Sequence, residues 1–261
     1  MRKNGLPIPT PEYPAEKKSS SPWNFWQTIA FGLIIALAYF GTQILLNAII
    51  EARDTVSYSW TYSKLFSSVT SGDVLVAILF ISFVVGSGFI ILFVKMRKGI
   101  SFKEYLALRS IKIRTYFIVL GILVALLIVL GFATSGLDNS KFTNQWVQAY
   151  RSSTIPLLLW MAVVVIGPVF EEIFFRGFLF TGFRESKVGV TGAILLTAVL
   201  WTFAHANHYV IWQLIVVFVL GVVFGIVRWR TNSLYATLSM HSLWNLVSMI
   251  QIVLLIQGRI R

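Results

Sequence analysis

Long apolar runs fill most of this sequence and leave little room for any fold other than a bundle of membrane helices. Each main run reaches or approaches the roughly 20 residues that an α-helix needs to cross a bilayer. Only 12% of the residues are charged, against about 25% in a typical soluble domain. We predict seven spans, at residues 25–50, 74–94, 115–133, 155–180, 189–207, 210–227 and 233–257. The predicted fold class is therefore all-α, a polytopic transmembrane helix bundle.

The runs also suggest how the chain is divided. Residues 1–24 are polar and rich in proline, a composition typical of a disordered tail. We assign residues 25–133 to amino-terminal transmembrane helices. Residues 155–257 form a second group of transmembrane helices, and this core holds the polar motifs described below. One helical bundle accounts for most of the length, so we expect a single membrane domain.

Basic residues are distributed unevenly between the two ends of the predicted bundle. With seven spans, fifteen Lys and Arg residues fall at one end and six at the other. The richer end carries the tail, the loop at 95–114 and the turns at 184–187 and 228–230. Because cytoplasmic loops are enriched in Lys and Arg, we expect a cytoplasmic N-terminus. The net charge of +12 follows from the same enrichment of basic residues in loops, so it does not indicate a nucleic-acid partner.

Three charged side chains interrupt the fourth apolar run: Glu171, Glu172 and Arg176. A charge near the bilayer centre costs at least about 2.5–3.5 kcal/mol on insertion scales, so such residues usually serve a function. Glu172 and Arg176 are four residues apart and share a helix face, where they can form an ion pair. Glu171 is rotated by about 100° and faces a different neighbour.

Histidines occur only in the last third of the chain, at positions 205, 208 and 241. His205 follows Trp201 by four residues in the fifth run, and Asn245 follows His241 by four residues in the seventh. Three predicted helices thus each offer a polar pair at one-turn spacing. We expect His208 at the membrane interface, beside the very short turn between the fifth and sixth runs.

Two carboxylates, two histidines and an amide are suited to hydrolysis. A glutamate can take a proton from water, and a histidine or asparagine can donate a hydrogen bond to the oxyanion that develops on a carbonyl. The same side chains also suit a metal ion, because imidazole and carboxylate are zinc ligands. The residues alone leave both uses open, but the absence of cysteine excludes a cysteine nucleophile and a thiolate metal site.

The order of these pairs resembles the CPBP family, the CAAX-protease and bacteriocin-processing proteins, which are also called the Abi family of intramembrane proteases. The resemblance covers roughly residues 155–250. Its three motifs are matched by Glu171-Glu172-x-x-x-Arg176, Trp201-x-x-x-His205 and His241-x-x-x-Asn245. Trp201 stands where the family usually has phenylalanine. The eukaryotic-type CAAX enzymes have eight spans, which gives an alternative to our count of seven.

The resemblance implies an intramembrane endopeptidase and a role for each motif residue. Glu171 matches the glutamate that activates water, and Glu172 and Arg176 hold the charge and geometry of the site. The implied catalytic residues are Glu171, Glu172, Arg176, His205, His241 and Asn245. If a divalent metal such as Zn²⁺ takes part, its ligands are Glu171, His205 and His241. Otherwise the two histidines and the amide stabilise the oxyanion.

The expected substrate is a peptide or protein in or at the membrane, prenylated or not, and the lipid bilayer is the other expected partner. Short loops and the lack of an organelle signal favour a prokaryotic plasma membrane. Two other functions use the same residues differently. One is a non-catalytic membrane immunity or binding protein of the same fold, and the other is a transporter or ion pathway, because buried ionisable residues also mark those.

The predicted boundaries set one geometric condition on the site. Counting about 1.5 Å per residue, straight helices would place Glu171 and His205 at depths in the membrane that differ by about 10 Å or more. Helix tilt, a break at Gly167-Pro168 or a fourth helix that continues through Phe183 would bring the two side chains together.

Overall fold

The structure is a computed structural model that describes residues 22–54, 71–138, 140–207 and 209–259. Within these residues the chain is helical and has no strand, which confirms the predicted fold class. The rest of the predicted tail and His208 lie outside the described residues. The helices are α1 (Phe25–Asp54), α2 (Gly72–Met96), α3 (Phe102–Tyr105), α4 (Ile113–Ala133), α5 (Ser140–Arg151), α6 (Pro156–Arg184), α7 (Gly189–Ala204), α8 (Ile211–Thr231) and α9 (Leu234–Ile256).

Six helices of the described part are long and apolar enough to cross a membrane: α1, α2, α4, α6, α8 and α9. They coincide with six of the predicted spans, and the protein is an integral membrane protein. The remaining predicted span, at 189–207, is replaced by the shorter helix α7. Its 16 residues extend about 24 Å, less than the roughly 30 Å of a hydrocarbon core. The C-terminal boundary of the predicted span was wrong, because the helix ends at Ala204 and a turn follows.

The links between helices fall at two ends of the bundle. The backbone N–H of Leu234 donates to the carbonyl of Ala107 at 2.9 Å, and the hydroxyl of Thr181 donates to the carbonyl of Tyr105 at 2.9 Å. These bonds tie the α2–α4 link to the last turn of α6 and to the start of α9. We call this the basic end, because it includes the described basic residues of 95–114, 184–187 and 228–230.

The opposite end, which we call the distal end, comprises residues 71–73, 138, 140–155, 205–207, 209 and 210. Asp73, in the first turn of α2, accepts a hydrogen bond from the hydroxyl of Thr154 at 2.7 Å. It also accepts one from the backbone N–H of Thr154 at 3.0 Å. The hydroxyl of Ser152 accepts from the backbone N–H of Gly72 at 2.9 Å. The start of α2 is thereby tied to the link between α5 and α6.

Helix α6 lies at the centre of the bundle. Every residue from 174 to 183 is buried, because α1, α2, α7, α8 and α9 all contact this part of the helix. A helix that is apolar on all sides is expected where neighbours surround it. Two wider π-helical segments, Ala162–Ile166 and Glu172–Leu179, interrupt its α-helical geometry. Such segments are rare and often occur at functional sites.

The segment at the end of α3 is more than a polar loop. Tyr105 and Leu106 are fully buried and Ala107 is nearly so. Leu106 lies against Gly177 of α6, where an added Cβ atom would come within 3.0 Å of the leucine Cδ2. The cluster of charges around this segment predicted a loop and gave no sign of these packed residues. They pack against the last turns of α6 at the basic end.

A matched pair of glycines in α2 tests the close packing of α2 on α6. A Cβ atom at Gly86 would lie 2.6 Å from Cε2 of Phe170, whereas at Gly88 nothing lies within 4 Å. Gly86→Ala forces Phe170 to move, an overpacking that costs about 1–3 kcal/mol. We expect this variant to lose several degrees of melting temperature in detergent, measured by thermal unfolding.

Gly88→Ala is the control, because it gains helix propensity of up to about 1 kcal/mol and meets no neighbour. It should melt at or above the temperature of the wild type. Equal melting temperatures for the two variants would contradict the packing described here.

Candidate active site

Side chains from all three motifs meet around the carboxylate of Glu171. Its Oε2 atom lies 4.0 Å from Nε2 of His205 and 3.9 Å from Nε2 of His241. The indole N–H of Trp201 donates a hydrogen bond to the same oxygen. The Glu171 side chain is 22% exposed, so it remains accessible to water. Three helices, α6, α7 and α9, therefore converge on one partly exposed carboxylate.

The length of α6 explains how Glu171 and His205 come to the same level. Glu171 lies about 20 Å before the end of α6 at Arg184, and His205 lies about 24 Å beyond the start of α7 at Gly189, counting 1.5 Å per residue. A short turn at residues 185–188 joins the two helices. The fourth helix thus continues through Phe183 to Arg184, and this extension brings the two side chains together.

The helix continues through Gly167-Pro168, and a π-helical segment accommodates the proline. The N–H of Gly167 bonds to the carbonyl of Ala162, five residues back. The next bond in this pattern would need an N–H on Pro168, which proline lacks. The carbonyl of Val163 that is left over accepts a hydrogen bond from Nδ2 of Asn245 at 2.9 Å. Asn245 thereby joins α9 to α6, two turns from Glu171.

Both histidines are held through Nδ1. In His205, Nδ1 lies 2.8 Å from the carbonyl of Trp201. Because a carbonyl only accepts, this nitrogen carries the proton. In His241, Nδ1 lies 3.0 Å from Oε1 of Glu172, an acceptor when the carboxylate is ionised. In the neutral imidazoles, both Nε2 atoms therefore present a lone pair toward Glu171.

The predicted ion pair between Glu172 and Arg176 is confirmed. Oε1 of Glu172 lies 3.1 Å from Nη1 of Arg176, and both side chains are fully buried. The same oxygen accepts from His241. The guanidinium carbon lies 4.2 Å from the ring centroid of Trp201, within the range of a cation–π contact. The pair thus contacts one residue from each of the other two motifs.

Two aromatic residues at the site were not among the predicted site residues. Tyr209 stacks on the ring of His205, with centroids 5.4 Å apart and planes 9° from parallel. Burial, together with the negative charge of Glu171, raises the pKa of the Tyr209 hydroxyl, so it stays protonated at neutral pH. Trp201 was counted in the second motif and in the pair with His205, and it was noted as a departure from the family's phenylalanine, but no site role was assigned to it. Its indole N–H, a donor that phenylalanine lacks, was the signal of its role.

The donor types at the site suit a divalent metal, but their spacing is wide. Two Nε2 atoms and a carboxylate are typical ligands, and imidazoles anchored through the other nitrogen are usual around metal sites. Tetrahedral zinc ligands lie about 3.4 Å from one another, whereas Glu171 Oε2 is 3.9 and 4.0 Å from the two Nε2 atoms. In the part of the chain described here, no group of three or more His, Cys, Asp or Glu residues is arranged to hold a metal.

A comparison with protein families matches residues 153–247 to the model described as type II CAAX prenyl endopeptidase, Rce1-like. The matched segment includes all three motifs, from Glu171 to Asn245. No curated protein and no solved structure gives a significant match to the chain. The family is one of proteases, and the resemblance found in the motifs is confirmed. Residues 153–247 of this membrane protein are thus similar to the Rce1-like type II CAAX prenyl endopeptidases.

Proposed function

We propose that the protein is an intramembrane endopeptidase in which Glu171 activates a water molecule for attack on a peptide carbonyl. The observation that carries this proposal is the position of the Glu171 carboxylate, within 4.0 Å of both Nε2 atoms and still 22% exposed. A carboxylate so placed can take a proton from water as the water oxygen bonds to the carbonyl carbon. The same proton then passes to the leaving amine as the C–N bond breaks.

The negative charge that develops on the carbonyl oxygen needs hydrogen-bond donors. Nε2 of His241 donates only when the imidazole is protonated, because Nδ1 already carries the proton bonded to Glu172. Glu172 supplies the countercharge to that imidazolium, and Arg176 in turn balances Glu172. The hydroxyl of Tyr209, held in its protonated form, is a further donor beside His205.

The substrate we propose is a peptide segment in or at the membrane. The family's description names a prenyl endopeptidase, so both prenylated and unmodified peptides belong in the first assays. The assay we propose uses fluorogenic peptides, with and without a C-terminal prenyl group, on the full chain in detergent micelles.

Glu171→Gln tests the central role of Glu171. The amide keeps the shape of the side chain but cannot act as a base, so cleavage should fall by roughly 10²–10⁴-fold, measured as the initial rate of fluorescence release. Glu104→Gln, at an exposed position at the basic end, is the matched control and should cleave like the wild type. Undiminished cleavage by a folded Glu171→Gln protein would remove Glu171 from the mechanism.

Trp201→Phe restores the residue that the family usually has; it removes the indole N–H and leaves a smaller aromatic ring beside Arg176. A hydrogen bond to a charged group contributes about 1.5–3 kcal/mol, so we expect kcat to fall by about tenfold or more because Glu171 is less firmly positioned. KM should stay close to the wild-type value, since Trp201 is buried. A change confined to KM would instead assign Trp201 to substrate binding.

The anchoring of both histidines through Nδ1 favours a metal as a second candidate for the chemistry. Glu171, His205 and His241 would hold the ion, which would polarise the carbonyl or lower the pKa of a bound water. The spacing described above is too wide for a closed tetrahedral set by about half an ångström.

Metal analysis of chelator-free protein separates the two candidates. Because the ligands are widely spaced, we expect less than one metal ion per chain in the wild type and no difference in a His205→Ala/His241→Ala variant. One zinc per wild-type chain, lost in a variant that still melts cooperatively, would establish the metal-dependent mechanism instead.

A further inference from the structure

We infer that the site opens toward the distal end and that the protein therefore acts on peptides on the extracytoplasmic side of the membrane. This inference rests on the proposed function for the cleavage itself. It adds the direction from which the substrate reaches Glu171 and hence the class of peptide that can be cut.

The link between α7 and α8 brings the distal end close to the carboxylate. His205 is the first residue after α7, and its Nε2 lies 4.0 Å from Glu171. Tyr209, in the same link, stacks on that imidazole. Ala206 and Asn207 between them are exposed. The catalytic carboxylate is thus separated from the distal surface by the side chains of one link.

A cleft begins beside the site and extends toward the same end. It has a volume of about 90 Å³ and lies between α5, α6, α9 and the α7–α8 link. From Asn245, one turn beyond His241, it continues along α9 to Ile252, away from the basic end. Its walls include Trp146, Val163, Tyr209, Trp244 and Ser248. Three aromatic side chains in one cleft suit an apolar side chain of a bound peptide.

Toward the basic end, the site is closed by buried layers. Glu172 and Arg176 are fully buried, and every residue of α6 from 174 to 183 is buried as well. Arg228 of α8, 1% exposed, donates from Nε to the carbonyl of Arg176 at 3.0 Å. Tyr105 and Leu106, both 0% exposed, lie below this layer. A peptide has no open path to Glu171 from the basic end through these residues.

The charge distribution assigns the two ends to the two sides of the membrane. Exposed basic side chains at the basic end include Lys98, Lys103, Arg109, Lys112 and Lys187. Lys and Arg are enriched in cytoplasmic loops, so the basic end is cytoplasmic and the distal end faces outward. The cleft then receives exported or extracytoplasmic peptide segments rather than the C-termini of cytoplasmic proteins.

Single cysteines test this inference directly, because the natural chain has none. Ser248→Cys places a thiol in the cleft, Asn207→Cys places one in the α7–α8 link, and Lys187→Cys places one at the basic end. The full chain is expressed in bacterial cells, and a membrane-impermeant maleimide is added before or after permeabilisation. Trp244→Cys replaces Ser248→Cys if the latter does not accumulate.

We expect the cleft and link cysteines to be labelled in intact cells, and Lys187→Cys only after permeabilisation. Labelling of Lys187→Cys in intact cells would overturn the orientation. A cleft cysteine that is labelled only after permeabilisation, or not at all, would overturn the outward opening.

Cysteine labelling does not require peptide cleavage, so it tests the opening of the site independently of the proposed protease activity. Adding Glu171→Gln to each cysteine variant should leave the labelling pattern unchanged while cleavage is lost. If the pattern is as expected and the wild type cuts no peptide in the panel, the protease proposal fails while the outward opening stands.

Discussion

The buried ion pair between Glu172 and Arg176 supports both halves of the site. One oxygen of Glu172 binds Arg176 and also the Nδ1 proton of His241. On its other side, the guanidinium lies over the ring of Trp201, whose N–H bonds to Glu171. Removing one partner of a buried pair leaves an uncompensated charge, at a cost of about 3–5 kcal/mol. The geometry around Glu171 therefore depends on two charges that have no direct contact with solvent.

A second constraint comes from the backbone of α6. Pro168 lies in the middle of a helix that has to stay continuous from the distal end to the basic end, and it leaves the carbonyl of Val163 without its usual partner. Asn245 satisfies that carbonyl, and His241 lies one turn before it on α9. The proline in one helix and the amide in another thus fix the register of α6 against α9. That register places His241 beside both glutamates.

Periodicity and charge predicted much of this structure, and their failures have physical causes. The six long spans could be predicted because an apolar run long enough to cross a membrane rarely forms any other structure. The ion pair was readable because residues four apart share a helix face. The contact of Tyr209 with His205 could not be predicted. The indole N–H of Trp201 marked it as a donor, but the sequence did not identify its partner, because Glu171 lies in a different helix. The buried segment at Tyr105 was hidden because the charged residues around it determined the interpretation of the whole loop.

The short length of α7 has a consequence for the lipid around the protein. At about 24 Å, this helix is some 6 Å shorter than a typical hydrocarbon core of about 30 Å. A bilayer beside it has to thin locally, or the link that follows has to sink below the headgroups. Either adjustment brings interfacial water down to His205 and Glu171. Membrane thickness then becomes a variable that affects hydration of the site, and thicker bilayers would hold interfacial water farther from the Glu171 carboxylate.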